Sequence, residues 1–363
     1  MKDKKIVFLG DTHFGVRGDS QPFHTFFEKF YSEVFFPYLI KNNIKTVIQL
    51  GDIFDRRKYS NHFTLAEAKR YFFDKFEEYD IKLITLLGNH DLFYKESLSV
   101  SSSELFLTQF KNVDIIKTPT RLADLDISII PWVCKENYEE CVKFIKEDTS
   151  RVCVGHFEIQ GFKMYKCSIL SEGGLSQQLF SNYEYVLSGH YHHRSIRGNI
   201  EYIGTPYEMT WQDFDDQKGF SVFDITTRKF KFEKNPNSIF RLIKYDDTDI
   251  GDTSTFDNIY LDPEFLNQFT NTYIKVKVEV KNNPYMFDLF LDQLYSRNPL
   301  DVSIIEDVVD IDNDESVDES DDTLTITYKY IDSIGQVNDL DKNKLKGMMS
   351  DLYSKALESY NAN

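Results

Sequence analysis

Short apolar runs alternate with helical patterns over the first ninety residues of the chain. Residues 5–9, 46–50 and 81–87 are nearly continuous apolar runs, as is typical of strands buried on both faces. Between them, residues 25–43 and 64–79 place apolar side chains on one broad face at helical spacing. This alternation predicts an α/β layered fold.

The second of these helices carries a capping signal. Thr64 is followed three residues later by Glu67, which is the spacing of a capping box. We therefore expect Thr64 to be the N-cap of this helix. A further helical pattern covers residues 136–147.

The later chain is rich in short extended runs. Up to residue 235 these runs lie at 125–132, 151–158, 183–193, 200–209, 219–226 and 228–235. Beyond a Pro- and Asn-containing boundary, strands are predicted at 239–246, 273–282 and 323–331, with a short amphipathic helix at 284–296. Another amphipathic helix is predicted at about 340–360.

The acidic residues are unevenly distributed. The net charge of the chain is −17, but residues 301–322 hold 11 acidic residues and no Lys or Arg, which leaves −6 for the remainder. We interpret residues 306–322 as a solvated loop, and the alternative is a DNA mimic or gate that repels DNA from the wrong face. No basic patch indicates nucleic-acid binding, so metal ions or a partner would have to supply positive charge for a polyanionic substrate.

Cysteine spacing and hydropathy indicate a cytoplasmic protein. The four cysteines show no CxxC spacing, so we expect reduced thiols and no zinc ribbon. The N-terminus leads directly into a strand, and no apolar run approaches the ~20 residues of a membrane span. We expect no membrane partner.

Five strand-like runs end in a glycine followed by side chains that bind metals. These side chains are Asp11 and His13, Asp52 and Asp55, Asn89 with His90 and Asp91, His156, and His190 with His192. Any one cluster could be an ordinary turn or a structural histidine. Five in order, at the carboxyl ends of strands, predict a common site.

The mixture of donors indicates the kind of metal. Carboxylates, imidazoles and an amide oxygen suit a divalent ion such as Mn²⁺, Fe²⁺ or Zn²⁺. The candidate ligands are more than one catalytic ion needs. Two ions that share a carboxylate are therefore predicted, an arrangement suited to phosphoryl displacement.

The ordered motifs DTH, GDIFD, GNHD, GH and GHYH resemble those of the calcineurin-like metallophosphoesterases over residues 5–235. Within that superfamily the chain looks most like the SbcD-type nucleases of double-strand-break repair, in the form that large phages carry as a recombination endonuclease subunit. The resemblance implies a four-layer β-sandwich flanked by helices (1–235), a smaller α+β capping domain for DNA recognition (236–335) and a C-terminal helix (336–363).

The resemblance also implies the role of each ligand. Asp11, His13 and His192 would hold a first ion, Asp52 would bridge, and Asn89, His156 and His190 would hold a second. Two ions, Mn in the first place with Mg, Fe or Zn as alternatives, are the implied cofactors.

Two further residues carry implied catalytic roles. His90 would act on the scissile phosphate or protonate the leaving oxygen, and Asp55 resembles the position that orients it. The nuclease branch often has histidine where Asp55 stands, and the phosphatase branch has aspartate. We interpret Asp91 as a support for the turn, and His24 and His193 as structural or surface residues.

The loop at 54–63 is the candidate DNA contact. Arg56, Arg57, Lys58 and His62 are the predicted contact residues, with nearby aromatic rings that could stack on a base. An ordinary solvated loop is the alternative.

The function implied is that of an Mn²⁺-dependent 3′–5′ double-strand exonuclease and single-strand endonuclease in recombination, repair and phage replication, within the host-cell cytoplasm. The terminal helix would bind the coiled coil of an SbcC-type ATPase, and the chain would form a homodimer within a heterotetramer. The Phe-rich helix at 23–41 is either the dimer surface or internal. Alternatives are a phosphatase or small-molecule phosphodiesterase, and a catalytically silent scaffold.

Overall fold

A computed structural model describes residues 5–248 and 259–306, together with the single positions Ile331, Lys342 and Met349. The chain divides into two compact units, Met1–Asp307 and Val308–Asn363, and the features below belong to the first. The predicted acidic loop beyond Glu306, the strand at 323–331 and the helix at 340–360 lie outside the described residues, apart from those three positions. Ile331 is helical, so the predicted strand is wrong at its last residue.

The described part of the chain contains fifteen strands. In chain order they are β1 (Lys5–Leu9), β2 (Thr46–Gln49), β3 (Lys82–Leu86), β4 (Val113–Ile116), β5 (Thr120–Leu122), β6 (Ile127–Ile130), β7 (Val152–His156), β8 (Tyr185–Gly189), β9 (Ser195–Arg197), β10 (Ile200–Tyr202), β11 (Gly219–Asp224), β12 (Lys229–Lys234), β13 (Phe240–Asp246), β14 (Tyr273–Val280) and β15 (Asp301–Ile305). The α-helices are α1 (Val16–Asp19), α2 (Gln21–Phe30), α3 (Phe36–Lys41), α4 (His62–Ala68), α5 (Asp74–Glu78), α6 (Ser102–Leu107), α7 (Tyr138–Glu147), α8 (Pro263–Asn267) and α9 (Pro284–Tyr295).

Two six-stranded sheets form a sandwich. Their strand orders are β12-β11-β1-β2-β3-β4 and β5-β6-β7-β8-β10-β9, and β1, β2, β3 and β4 run parallel, as do β6, β7 and β8. Ile6 and Phe8 of β1 face the second sheet, while Val7 and Leu9 face the helical layer. Burial on both faces explains the continuous apolar runs, and the predicted α/β layered fold is confirmed.

A Phe-rich helical layer covers the outer face of the first sheet. Helices α2 and α3 are joined without a break by a π-helical turn at Tyr31–Phe35, and α4 and α5 by another at Lys69–Phe73. The rings of Tyr31 and Tyr71 stack with centroids 5.9 Å apart. Since the Phe side chains of α2 and α3 pack into this core, the predicted helix at 23–41 is internal, and its aromatic face is not a dimer surface.

The start of α4 differs from the prediction. Asn61 is the N-cap, and its side-chain oxygen accepts a hydrogen bond from the Phe63 N–H at 2.9 Å. Thr64 lies inside the helix and donates its hydroxyl to Asp19 at 2.7 Å, while Glu67 pairs with an arginine one turn later. The predicted capping box is therefore wrong, because a tertiary partner takes the threonine hydroxyl.

A three-stranded parallel sheet, in the order β13-β14-β15, follows the sandwich. It packs against α9 and contacts the helical layer, where Phe23 stacks on Tyr273 with centroids 5.7 Å apart. The predicted strands at 239–246 and 273–282 are confirmed. The strand β15, at 301–305, was missed because its residues begin the acidic stretch. Over the ranges 5–248 and 259–306, helices long and apolar enough to cross a membrane do not occur.

Candidate active site

The glycine-led turns of both sheets meet at one edge of the sandwich. Asp11 and His13 follow β1, Asp52 follows β2, and His156 ends β7. The Asp52 Oδ2 atom lies 3.2 Å from His156 Nε2 and 3.7 Å from His13 Nε2. The parallel strands thus bring residues distant in sequence to one place, as the sequence predicted.

The described residues form three groups of possible ligands, of which one, His13 with Asp55 and His90, shares its first histidine with the group of Asp11. Asp11, His13 and His192 can each place a donor atom within 4.8 Å of the others, and so can Asp52, His156 and His190. Asn89 joins the second group, because its Oδ1 atom lies 2.9 Å from His156 Nε2. This division is the one that the family resemblance implies.

The buried donors fit a pair of cations. Within the described residues, both ring nitrogens of His13 and Nδ1 of His192 are buried without a hydrogen-bond partner. Buried polar atoms that lack partners destabilise a fold by about 1–3 kcal/mol each. Cations would satisfy these atoms, so the donor set suits two divalent ions with Asp52 between them.

Three ligand-bearing positions have left-handed backbones, with φ of 41° at His13, 53° at Asp52 and 83° at His190. Such conformations are strained for residues other than glycine and cluster at functional sites. Gly51, at φ 92°, also lies so near the next turn that a Cβ there would be 2.8 Å from Gly88 backbone atoms. The glycine before Asp52 is therefore required by both conformation and space.

Asp91 holds two of these turns together. Its carboxylate accepts hydrogen bonds from the backbone N–H groups of Gly88 (2.8 Å), Asp52 (2.9 Å) and Ile53 (3.0 Å). In turn, Asp52 Oδ1 accepts the His90 N–H at 2.7 Å. The interpretation of Asp91 as a support for the turn is confirmed.

His90 stands beside the first group and is held by main chain. Its Nδ1 atom lies 2.5 Å from the Asp55 carbonyl oxygen, and its ring meets that of His13 edge-on. The Asp55 carboxylate instead lies 3.6 Å from His13 Nδ1. The hydrogen bond to His90 therefore comes from the Asp55 main chain and not from its carboxylate.

Burial sets the protonation of the ligands. It lowers the pKa of His13 to about 3, with His90 adding to the effect, and it lowers the pKa of His190 and His192 well below the ordinary value. Burial also opposes charge on His156, but the Asp52 and Asp11 carboxylates outweigh it and raise its pKa to about 9. The site without metal therefore holds a proton on His156 at neutral pH.

The two aspartates behave differently. Burial raises the pKa of Asp11 to about 7, although the nearby His156 works against this rise. Burial acts in the same direction on Asp52, but His156 and His90 hold its pKa well below the ordinary value. Asp52 is thus an anion at neutral pH.

The four predicted DNA contacts separate into distinct environments. Arg56 is paired with Asp19 at 2.9 Å and lies over the Tyr59 ring, which ties it to its own chain. Arg57 is close enough to His90 to oppose its protonation. Lys58 and His62 are exposed, and His62 is the first residue of α4.

Several residues near the site were not found from the sequence. The Trp132 ring, just after β6, lies 5.1 Å from that of His190 and 5.8 Å from that of His156. Tyr207 and Lys218 contact the ligand-bearing turns from a distant segment. For Trp132 the available signal was its place at a strand end.

His193 forms a hydrogen bond with Asp216 at 3.0 Å, as expected of a residue outside the ligand set.

The chain is similar to known proteins. The family pattern described as calcineurin-like phosphoesterase matches residues 4–194. Exonuclease subunit 1 of enterobacteria phage T4 is 34% identical over 358 residues, which cover 98% of this chain and 100% of that protein. A solved archaeal phosphodiesterase aligns with 64% of this chain and 99% of its own at 12% identity, but its TM-score of 0.33 supports no conclusion.

The match of the family pattern includes every candidate ligand, from Asp11 to His192. The phage relative extends the similarity through nearly the whole chain. The chain therefore belongs to the calcineurin-like phosphoesterases, which are metal-dependent hydrolases.

Proposed function

We propose that this chain is the nuclease subunit of a phage recombination complex and hydrolyses DNA phosphodiester bonds. The observation that carries the proposal is the pair of adjoining ligand groups with His90 beside them. The similarity to a phage exonuclease subunit supports DNA as the substrate. We propose both 3′–5′ exonuclease activity on duplexes and endonuclease activity on single strands, in the host-cell cytoplasm.

Each ligand group would hold one ion. Asp11, His13 and His192 would bind the first, Asn89, His156 and His190 the second, and Asp52 would bridge them. Bound there, two divalent cations supply Lewis-acid stabilisation of phosphate charge and activation of a water. Mn²⁺ is our proposal, since the mixed imidazole and carboxylate donors suit it, and Mg²⁺, Fe²⁺ and Zn²⁺ are the alternatives.

His90 is positioned to donate a proton. Burial opposes its charge, but Asp52 and the Asp55 carbonyl raise its pKa above the ordinary value for histidine. With Nδ1–H donated to that carbonyl, the proton on Nε2 remains for the substrate. The leaving alkoxide needs a proton, so His90 would act as the general acid.

Contacts with DNA come from the loop after β2 and the small sheet. Arg57 lies near His90 and is our candidate for a phosphate adjacent to the scissile bond, with Lys58 and His62 exposed further along the loop. Arg56 supports this loop through Asp19. We propose residues 236–335 as the DNA-recognition domain.

The partner is proposed from the phage relative, whose name marks it as one subunit of an exonuclease. We propose that residues 336–363 bind the coiled coil of an SbcC-type ATPase, with the nuclease subunits as a homodimer inside a heterotetramer. Deleting 338–363 should abolish ATPase association and leave hydrolysis of small substrates intact. Retained association would contradict this assignment.

The decisive experiment compares DNA with small esters. Wild type and His90→Gln are given Mn²⁺ and a duplex labelled at the 5′ or 3′ end, p-nitrophenyl phosphate or bis-p-nitrophenyl phosphate. Progressive loss of the duplex from its 3′ ends by wild type alone, with metal binding retained in the variant, is expected. Turnover of the small esters alone would indicate a phosphatase or small phosphodiesterase. No turnover by wild type would indicate a scaffold.

A further inference from the structure

The segment of residues 204–218, which connects β10 to β11, passes along two of the ligand-bearing turns. Its sequence, GTPYEMTWQDFDDQK, contributes no candidate ligand. Two of its side chains nevertheless reach backbone carbonyl groups next to ligands of the first ion. These contacts suggest a role in holding the ligands.

Tyr207 fixes the turn after β1. Its hydroxyl donates to the Thr12 carbonyl oxygen at 2.7 Å, and Thr12 lies between Asp11 and His13. The N–H on the other side of that peptide, from His13, donates to the Asp52 carbonyl at 3.0 Å. The peptide plane that sets the left-handed φ of His13 is therefore held at both edges.

The Tyr207 ring is itself immobilised. It is fully buried and stacks on Phe27 with centroids 3.7 Å apart and an angle of 14° between the planes. Its hydroxyl also lies 3.3 Å from that of Tyr31. A rigid ring gives the bond to Thr12 a fixed direction, because little side-chain freedom remains.

Lys218 fixes the turn that carries His192. Its ammonium donates to the His192 carbonyl oxygen at 2.9 Å, and the Thr205 N–H donates to the same oxygen at 3.3 Å. Lys218 is 4% exposed, and its charge is balanced by Asp213 at 2.7 Å and Asp216 at 3.4 Å. Burying a lysine with two carboxylates costs free energy unless the charges are well paired. The contact of Lys218 with the turn that carries His192 therefore suggests that Lys218 has a role in the site.

The second group is held by other contacts. His156 Nδ1 lies 2.7 Å from the Leu50 carbonyl, and the turns bearing Asp52 and Asn89 are joined by Asp91. The His190 N–H donates to the Asp11 carboxylate rather than to residues 204–218. Tyr207 and Lys218 thus contact the carbonyl groups of Thr12 and His192, which adjoin or belong to ligands of the first group.

We propose that Tyr207 and Lys218 are positioning residues for the first ion. They hold the backbone of His13 and His192 in place and so determine the affinity of the protein for that ion. This inference rests on the proposed two-ion chemistry. Neither side chain belongs to a ligand group, and both act through backbone carbonyl groups. Loss of an outer contact of this kind weakens metal binding by about 10- to 100-fold.

The test is Mn²⁺ binding by the full chain, measured by calorimetry and by the EPR signal of coupled manganese pairs. Tyr207→Phe removes a hydroxyl and keeps the ring stacked on Phe27. Lys218→Met removes the ammonium. His192→Asn identifies which of the two binding steps belongs to the first ion.

Two matched controls act far from the site. Tyr38→Phe removes a tyrosine hydroxyl that donates to Glu233 at 2.8 Å. Lys45→Met removes an ammonium that donates to the backbone carbonyls of Tyr79 and Asp80. Both controls should bind two ions as wild type does.

The expected result is that Tyr207→Phe and Lys218→Met weaken the step lost in His192→Asn by about 10- to 100-fold and leave the other unchanged. Wild-type affinity at both steps, or equal weakening of both, would overturn the inference. If Lys218→Met fails to fold, Tyr207→Phe decides alone. If wild type itself binds fewer than two ions, the proposed two-ion function fails first, and a duplex-cleavage assay shows whether nuclease activity fails with it.

Discussion

Gly51→Ala tests how closely the turn that bears Asp52 packs against the turn that contains Gly88. Gly51 has a φ of 92°, and a Cβ there would lie 2.8 Å from the Cα and nitrogen of Gly88 and from His156 Nδ1. Two of these atoms are backbone, so they cannot move aside alone. The turn bearing Asp52 must shift or remain strained.

Gly198→Ala is the matched control. Gly198 lies between β9 and β10 with a φ of 59°, and a Cβ there meets nothing within 4 Å in the described residues. A left-handed backbone costs an alanine roughly 1–2 kcal/mol at either position. The φ of Gly198 lies within the left-handed region and that of Gly51 lies beyond it, so the difference between the two variants reports steric crowding together with the extra backbone strain at Gly51.

The expected loss for Gly51→Ala combines two terms. Overpacking in a dense interior adds about 1–3 kcal/mol to the backbone cost, which gives about 2–5 kcal/mol in the free energy of unfolding. Each kcal/mol lowers Tm by about 2–4 °C in domains of 150–250 residues, and by the lower end of that range in a unit as large as Met1–Asp307. We expect Tm to fall by at least about 4 °C, and by more than in Gly198→Ala.

Calorimetric unfolding in EDTA measures this difference without a metal contribution, and Mn²⁺ titration follows it. Gly51→Ala should also bind Mn²⁺ more weakly, because Asp52 is displaced, while Gly198→Ala should bind normally. Equal Tm values and equal Mn²⁺ affinities in the two variants would refute the packing of Gly51 against Gly88.

Two further predictions concern protons and DNA. Burial opposes charge on His156, but Asp52 and Asp11 raise its pKa to about 9. Below that pH, Mn²⁺ must therefore displace a proton from His156. The affinity for Mn²⁺ should rise by up to about tenfold per pH unit between pH 7.5 and 9 and then become constant. Calorimetry in buffers of different ionisation enthalpy checks the released proton, and pH-independent affinity would contradict it. Arg57→Ala should raise KM for DNA without changing Tm. Arg56→Ala should lower Tm by breaking the pair with Asp19, and it should raise KM less than Arg57→Ala does because Arg56 acts through the loop; reversed effects would exchange their roles.

The sequence revealed the strands and the ligands for a physical reason. Strands buried on both faces appear in the sequence as continuous apolar runs, and the polar turns that end them contain glycine for local conformational reasons. The positions of Asp11, Asp52 and His156 follow from those runs, because neighbouring parallel strands end at the same edge. Local information was sufficient to place these residues together.

Other features depend on contacts that local sequence does not encode. Asn61 and Thr64 are both good capping residues, and the choice between them is made by Asp19, which takes the threonine hydroxyl. The strand β15 is mostly exposed and begins with an aspartate, so its composition resembles a loop. Lys218 reaches a carbonyl 26 positions away, and Tyr207 one that is 195 positions away.

The π-helical turns at Tyr31–Phe35 and Lys69–Phe73 have a consequence for changes in chain length. A π turn accommodates one residue more than an α-helical turn. Deleting one residue from Tyr31–Phe35 would restore regular helical bonding and leave the preceding segment facing the same way, because four α-helical residues close about the same turn as five π-helical ones. A deletion in the regular part of α3 would instead rotate the preceding segment by about 100° and move Phe23 and Phe27 out of the core that they share with Tyr207 and Tyr273. Within these two helices, single-residue deletions should therefore be accepted at the π-helical turns and excluded elsewhere.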